Sequence, residues 1–361
     1  LDLLNNGVEM IARNPRAYAP TFDGDGLLLW EKMEDTVREI AHAITPDILA
    51  AYPKIDGVMP IAHGSGCGMQ VRGADQMLLQ RTLSGMANNA NIGAYIIVGL
   101  GCETNQISEM MENFEFISNP NGTGPIHMTI QDNGGIRKTI AAGVSAVREL
   151  LPEVNRVGRT PQPLSELILA LQCGGSDSWS GVTANPVLGL TCDEIVRQGG
   201  TVVLSETPEI YGAEHLLIRR ASSPEVAEKL LAKVHWWEDH ARRLNIEIDN
   251  NPSVGNKVGG LTTIYEKSLG AVAKAGNTPL MDVLDYAEPI KKRGFVYMDT
   301  PGYDPVSATG QVAGGSTLIV FTTGRGSVFG FKPSPSIKVA SNTPMYERMI
   351  DDMDLNAGRV L

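Results

Sequence analysis

Along this chain a short apolar run, a glycine-rich polar loop and a stretch with apolar residues at helical spacing follow one another repeatedly. Val37, Ile40, Ala41 and Ile44 share one face of a predicted helix over Asp35 to Ile44, which Pro46 ends. Gly57 to Ala62 reads as a short buried strand running into His63-Gly64-Ser65-Gly66-Cys67-Gly68-Met69, with a helix from about Asp75 to Met86 after it. The unit returns as strand Ala94 to Leu100, loop Gly101 to Asn105 and helix Ile107 to Phe114. It returns again as strand Met128 to Ile130, loop Asp132 to Gly135 and helix Ile136 to Leu151.

Pro152, Pro161 and Pro163, with polar residues between them, mark a linker. Beyond it, strand Leu167 to Leu171 ends in Cys173-Gly174-Gly175-Ser176-Asp177, and strand Thr201 to Leu204 ends in Ser205-Glu206-Thr207-Pro208-Glu209. Ser222-Ser223-Pro224-Glu225 opens a helix with Val226, Leu230, Val234 and Trp237 along one face. Strands Phe295 to Met298 and Leu318 to Phe321 end in Asp299-Thr300-Pro301-Gly302 and in Thr322-Thr323-Gly324-Arg325-Gly326. Parallel neighbours need crossover helices, so this alternation predicts an α/β fold: mostly parallel sheets with helices on both faces, the C-terminal part Rossmann-like. Three segments are expected: 1–46, unassigned; 47–160, an α/β domain that is a candidate for dimerisation; and 161–361, the catalytic domain. Ligands of such sheets bind outside the carboxyl ends of the strands, where every polar glycine loop falls.

Composition narrows the function. Of 361 residues 42% are hydrophobic, enough for a large core, and 30 basic against 41 acidic side chains give a net charge of -11 without a basic block. A nucleic-acid partner is not expected. The apolar runs are strand-length, far short of the roughly 20 residues that span a bilayer, so no membrane partner is expected either. Leu1 to Asn14 lack the pattern of a secretory signal, and four cysteines with no C-x-x-C pair suit a reducing cytoplasm.

The loops hold the candidate chemistry. Gly64-Ser65-Gly66-Cys67-Gly68 and Gly99-Leu100-Gly101 lack the third glycine of a dinucleotide fingerprint, and no Walker lysine follows, which argues against a nucleotide cofactor. Their amides suit carboxylates instead. Cys67, Cys102 and Cys173 each follow a strand in a glycine-flanked loop and either converge on a metal or an iron–sulfur cluster or are small residues at tight turns. Cys192, inside a helical stretch, reads as core. Glu206, Glu209, Asp177, Glu214 and His215 follow strands as ligands or acid/base groups, although Glu214 equally suits a helix start. His63, beside the first glycine loop, reads as functional; His127, His235 and His240 read as surface or packing residues. Lys267 either neutralises a substrate carboxylate, acts as a base, or is a solvated helix lysine. Trp236-Trp237 reads as a helix-packing pair rather than a sugar platform.

At these loops the sequence resembles the altronate/galactarate dehydratase family, which includes the large subunit of sulfolactate sulfo-lyase. The resemblance rests on HGSGCGM at 63–69, GLGCETNQ at 99–106, QCGGSDSWSGVTANPVLG at 172–189, SETPEIYGAEHLL at 205–217, NPSVGNKVGG at 251–260, DTPGYDPVSATG at 299–310 and TTGRGSVFG at 322–330, and it runs from about Asp47 to the end. It implies a metal-dependent hydro-lyase, using Fe(II) with Mn(II) or an iron–sulfur cluster as alternatives, that removes water across C2 and C3 of a sugar acid to give a 2-keto-3-deoxy acid. On that reading Glu206, Cys173, Cys67 and Cys102 are metal ligands, with Asp177 and His63 as further candidates. Lys267, Glu209, Asp177 and His63 are catalytic, with Lys267 or Glu209 taking the C2 proton. Ser176, Ser180, Asn256, Thr322, Thr323 and Arg325 bind the substrate. The resemblance also implies a homodimer and a small N-terminal-type subunit or domain. The family's R-x-D-G-R-x-G-x-R-N strand is not found here; residues 1 to about 34 match nothing, and Phe22-Asp23-Gly24 is where such a strand would begin. HGSGCGM and GLGCETN favour a sugar acid over sulfolactate.

Overall fold

A computed structural model of the chain describes residues 29–63, 68–120 and 122–361, so the expectations for Leu1 to Asn14, for Phe22-Asp23-Gly24 and for the loop that carries Cys67 lie outside the described residues. The contacts divide the chain into two units: residues up to 71 with 94–112 and 118–158, and residues 72–93 with 113–117 and 159–361.

In the first unit strands β1 (Ile96–Gly99) and β2 (Ile126–Thr129) pair in parallel, Ile96 opposite Ile126. The Leu29–His42 helix and the turn after it pack against the Ile136–Arg156 helix through Ile40, Ile44, Val147 and Leu151, with Ile96 and Val98 against them. Two expectations change. Residues 57–62 form no strand, and Ile61 is 38% exposed, because Pro60 has no N–H to give a ladder and the run is too solvated to be core. Pro152 is no linker residue; it sits within the long Ile136–Arg156 helix, and the chain passes from the first unit to the second between Gly158 and Arg159 instead.

The second unit is built on a seven-stranded sheet, all of whose pairs are parallel. Its strands are β3 (Ile168–Cys173), β4 (Thr201–Leu204), β5 (Leu280–Leu284), β6 (Gly294–Met298), β7 (Leu318–Thr323), β8 (Ser336–Ala340) and β9 (Leu355–Asn356). The order is β5-β6-β4-β3-β7-β8-β9. The chain leaves β3 toward β4 on one side and returns at β7 on the other, a doubly wound reversal with its crevice at the end of β3. Strand β6 inserts between β4 and β5, which departs from the dinucleotide-fold order. Strands β5 and β8 go beyond the expected set; both carry a charged residue in a short run, Asp282 and Lys338.

Side chains alternate between the two covered faces, as buried parallel strands require. Leu169, Leu171, Val202, Leu204, Phe295 and Tyr297 meet the Ala184–Arg197 and Pro224–Arg243 helices through Leu188, Ile195, Leu230 and Val234. Ala170 and Ile319 face Ala308, Val312 and Met86 on the other side. Ser223 caps the Pro224 helix by accepting from the Val226 N–H, with proline in its first turn as predicted. Cys192 is fully buried in the first of these cores. Among the described residues no helix is long and apolar enough to cross a membrane.

The Ala184–Arg197 helix and the Ile264–Ala273 helix approach closely over glycines. A Cβ on Gly181 would lie 2.9 Å from the Gly270 Cα, and one on Gly189 would lie 2.3 Å from the Ala273 carbonyl oxygen. Backbone atoms cannot yield as a side-chain tip can, so Gly189→Val is expected to cost about 1–3 kcal/mol of stability through overpacking. Urea unfolding measures it, and a variant as stable as the parent contradicts this account of the helix pair.

Candidate active site

Strands β3 and β4 run in register, Ala170 opposite Val203, so Cys173, the last residue of β3, and Glu206, just past the end of β4, are brought side by side. The Cys173 sulfur lies 3.9 Å from Glu206 Oε2 and 3.7 Å from Glu209 Oε2, and all three residues are buried. Glu209 follows one tight turn later, its N–H donating to the Glu206 carbonyl at 2.8 Å. Glu206 has φ 71° and ψ 63°, the left-handed region that side-chain-bearing residues rarely adopt.

The Ile264–Ala273 helix, capped by the Thr263 hydroxyl, supplies the opposite charge. Lys267 and Lys274 stand two turns apart and so face the same way. Lys267 Nζ donates to Glu209 Oε1 at 2.6 Å and to Asn251 Oδ1 at 2.9 Å, while Asn251 Nδ2 donates to Glu209 Oε1 at 2.9 Å. Lys274 Nζ donates to the Cys173 sulfur at 2.9 Å and approaches Glu206 Oε2 at 3.4 Å. Each glutamate thus has its own lysine, and both ion pairs are almost wholly removed from water.

Burial and charge pull these groups in different directions. Burial, with the neighbouring Glu209 charge, pushes the Glu206 carboxyl up to about 8, against the pull of Lys274. Glu206 Oε1 is buried with no hydrogen-bond partner among the described residues. Burial pushes Glu209 up as well, but Lys267, Lys274 and Asn251 outweigh it and hold that carboxyl below its ordinary range. Lys267 and Lys274 stay charged: burial disfavours both ammonium groups, and the carboxylates and thiol around them overcome it. Burial pushes the Cys173 thiol up to about 12. Asp304, after β6, is pushed up to about 6 by burial and by Glu209.

One sulfur and two carboxylates whose ligand atoms lie within 4.8 Å of one another form a donor set suited to a first-row divalent cation, and the unpartnered Glu206 oxygen is available to such an ion. Beside the cluster lies a cavity of about 240 Å³, lined among others by Cys173, Ser176, Asp177, Ser180 and Lys267 and by the exposed Val182 and Leu269. Ligand pockets for drug-sized molecules run to roughly 300–1,000 Å³, so this one suits a small molecule.

The residues expected from sequence separate into groups. Cys173, Glu206, Glu209 and Lys267 come together, and Ser176, Ser180 and Asp177 line the cavity beside them. Asp177 accepts from the Ser180 N–H and hydroxyl, the Ser341 hydroxyl and the Asn342 amide, which makes it a hub joining the loops after β3 and β8. Asn256 caps its own short helix and donates to the Ser176 carbonyl; Thr322 donates to Asn185 Oδ1, and Thr323 accepts from the Gly326 N–H. The Arg325 backbone is tied to the Gly175 carbonyl while its side chain stays exposed. His63 and Cys102 are both exposed and belong to the first unit, where the Cys102 sulfur accepts from Gln131 Nε2 at 3.1 Å. Glu214 opens the short Glu214–Ile218 helix, and His215 beside it is exposed. Trp236 stacks on His240 and Trp237 meets both rings edge-on, but Trp237 is more than packing: its Nε1 donates to Asp299 Oδ1. Lys274, Asn251 and Asp304 were not among the expected site residues. The signal for Lys274 is its position among Ala271, Val272, Ala273 and Ala275, a run too apolar for a solvated lysine.

The family described as D-galactarate/altronate dehydratase, C-terminal, matches residues 164–361, and the one described as D-galactarate dehydratase/altronate hydrolase, second domain, matches 29–155. The chain is 36% identical over 303 residues to an altronate dehydratase of Bacillus subtilis, covering 84% of this chain and 59% of that protein. It is 38% identical over 283 residues to a galactarate dehydratase (L-threo-forming) of Escherichia coli, covering 78% and 54%. It is 32% identical over 317 residues to the (2R)-sulfolactate sulfo-lyase subunit beta of Chromohalobacter salexigens, covering 86% and 79%. The chain therefore spans less than two thirds of the length of the two dehydratases.

Removing one partner of a buried ion pair leaves an uncompensated charge and costs about 3–5 kcal/mol. Lys267→Met is expected to destabilise the second unit by that amount, and Lys267→Met with Glu209→Gln by clearly less. Denaturant unfolding of both variants measures this; equal losses contradict the pairing.

Proposed function

The chain belongs to the D-galactarate/altronate dehydratase family, and from that premise we propose that it dehydrates a sugar acid, altronate, galactarate or a similar aldonate or aldarate, to a 2-keto-3-deoxy acid. The observation that carries this reading is the buried group of Cys173, Glu206 and Glu209, paired with two lysines beside a small cavity. It is proposed to work in the cytoplasm, in sugar-acid breakdown, as a homodimer. The kinship with a protein named as a subunit beta favours a partner chain or domain of the small N-terminal type.

A hydrogen alpha to a carboxylate is too weakly acidic for a side-chain base acting alone, so the charge that forms on the substrate must be stabilised. Cys173 and Glu206 would hold Fe(II), or Mn(II) in its place; such a cation supplies Lewis-acid stabilisation of an enediolate. The carboxylates beside Cys173 favour a mononuclear ion over an iron–sulfur cluster, which takes thiolates. Lys267 lines the cavity as an ammonium, which suits it to neutralise the substrate carboxylate rather than to act as base. Glu209 is the better base. Lys267 and Asn251 occupy its Oε1, and Oε2 points toward Cys173, placed to accept the C2 proton. Glu209, once it carries that proton, can return it to the departing C3 hydroxyl, which leaves as water, and the enol that remains tautomerises to the 2-keto acid. Ser176 and Ser180, on the cavity wall, orient the substrate hydroxyls.

Anaerobically purified chain reconstituted with Fe(II) and offered a panel of aldonates and aldarates is expected to release 2-keto-3-deoxy acid. Chelation should abolish the activity and iron should restore it. Glu209→Gln should lower turnover by about 10²–10⁴-fold, the worth of a positioned base. Binding of a sugar acid without product would favour a non-catalytic sugar-acid binder instead.

A further inference from the structure

The stretch 299–310, DTPGYDPVSATG, follows β6 and supplies none of the four ion-paired side chains, yet it grips the residue that carries Glu206. The Glu206 N–H donates to Thr300 Oγ1 at 2.9 Å, and the next amide, Thr207 N–H, donates to the Thr300 carbonyl at 2.9 Å. The Thr300 hydroxyl is itself oriented by Ser307 Oγ at 2.8 Å; Ser307 in turn lies 2.8 Å from Ser205 Oγ and accepts from Gln172 Nε2 at 2.7 Å. On the other side of the same turn the Thr207 hydroxyl donates to Asp299 Oδ1 at 2.6 Å, where Trp237 Nε1 also donates. Gln172, Ser205, Thr207, Thr300 and Ser307 are all at most 1% exposed, so water cannot stand in for any of these bonds.

A left-handed conformation costs an L-residue roughly 1–2 kcal/mol and persists only where its surroundings dictate it. At Glu206 that conformation decides where the carboxylate goes. Extended backbone would continue the β4 direction and send the side chain elsewhere, whereas φ 71° sets Oε2 beside Cys173 and Lys274. Two successive amides held by one threonine fix the peptide planes on either side of that residue. We infer that Thr300, with its hydroxyl set by Ser307, is a positioning residue that holds Glu206 in its left-handed conformation and so aims the carboxylate at the Cys173 sulfur. This inference rests on the proposal that Cys173 and Glu206 hold the metal.

Cobalt(II) titration of the full 361-residue chain tests it, read by the sulfur-to-cobalt charge-transfer band and accompanied by thermal unfolding. Thr300→Val keeps the shape and loses the acceptor; it is expected to weaken cobalt binding by about 10–100-fold, the usual effect of removing a partner behind a ligand. Thr300→Ser keeps the hydroxyl and should bind close to the parent. A folded Thr300→Val that binds as tightly as the parent overturns the inference. So does a Thr300→Ser as weak as the valine variant, because that would assign the effect to the methyl. Should Thr300→Val not fold, Ser307→Ala carries the test, and unchanged cobalt affinity in it overturns the inference. A parent chain that binds no cobalt overturns the metal reading itself and this inference with it.

Discussion

Two glutamates, two lysines and a thiol share the dry interior at the ends of β3 and β4, and the rest of the second unit is arranged so that they can. Taking a single ion out of water costs several kcal/mol, and like charges side by side add to that. Pairing offsets the cost only where the geometry is tight. The 2.6 Å contact of Lys267 with Glu209, braced by Asn251, meets that condition, while the looser 3.4 Å contact of Lys274 with Glu206 does not, and Glu206 keeps an oxygen without a partner among the described residues. The asymmetry divides the labour: one carboxylate is held ionised and the other is left underused.

Each neighbouring feature serves that cluster. Register between β3 and β4 puts the thiol and the first glutamate at the same height. The reversal of strand order at β3 opens the crevice beside them. The glycine pairs Gly181 with Gly270 and Gly189 with Gly276 draw the lysine-bearing helix close enough for both ammonium groups to reach across. Asp177, held by serine and asparagine donors, locks the loop after β3 to the loop after β8, which Asn342 ties in turn to the Gly324 carbonyl after β7, so the cavity wall stays in place without taking part in the pairing.

The strands over 168–173, 201–204, 294–298 and 318–323 were legible because each is an apolar run closed by a polar, glycine-bearing loop. The same rule misread 57–62, where a proline interrupts the donors that a strand needs. Cys173, Glu206, Glu209 and Lys267 were legible as loop-borne reactive groups, but their pairing was not, since it depends on a helix brought near by small residues far along the chain. The apolar run Ala271 to Ala275 marks Lys274 as a buried lysine, but no pattern along the chain says that it meets Cys173 and Glu206. Asp177 shows the limit from the other side: a carboxylate just after a strand presents the same pattern whether it binds a ligand or ties loops together. Thr300 and Ser307 act through backbone amides and neighbouring hydroxyls, and no linear pattern reports such bonds.

X-ray absorption at the iron edge of the anaerobically iron-loaded chain tests the central claim most directly. The account predicts one sulfur among oxygen neighbours and no second iron. A shell without sulfur, or three sulfurs with an iron–iron distance, would contradict it.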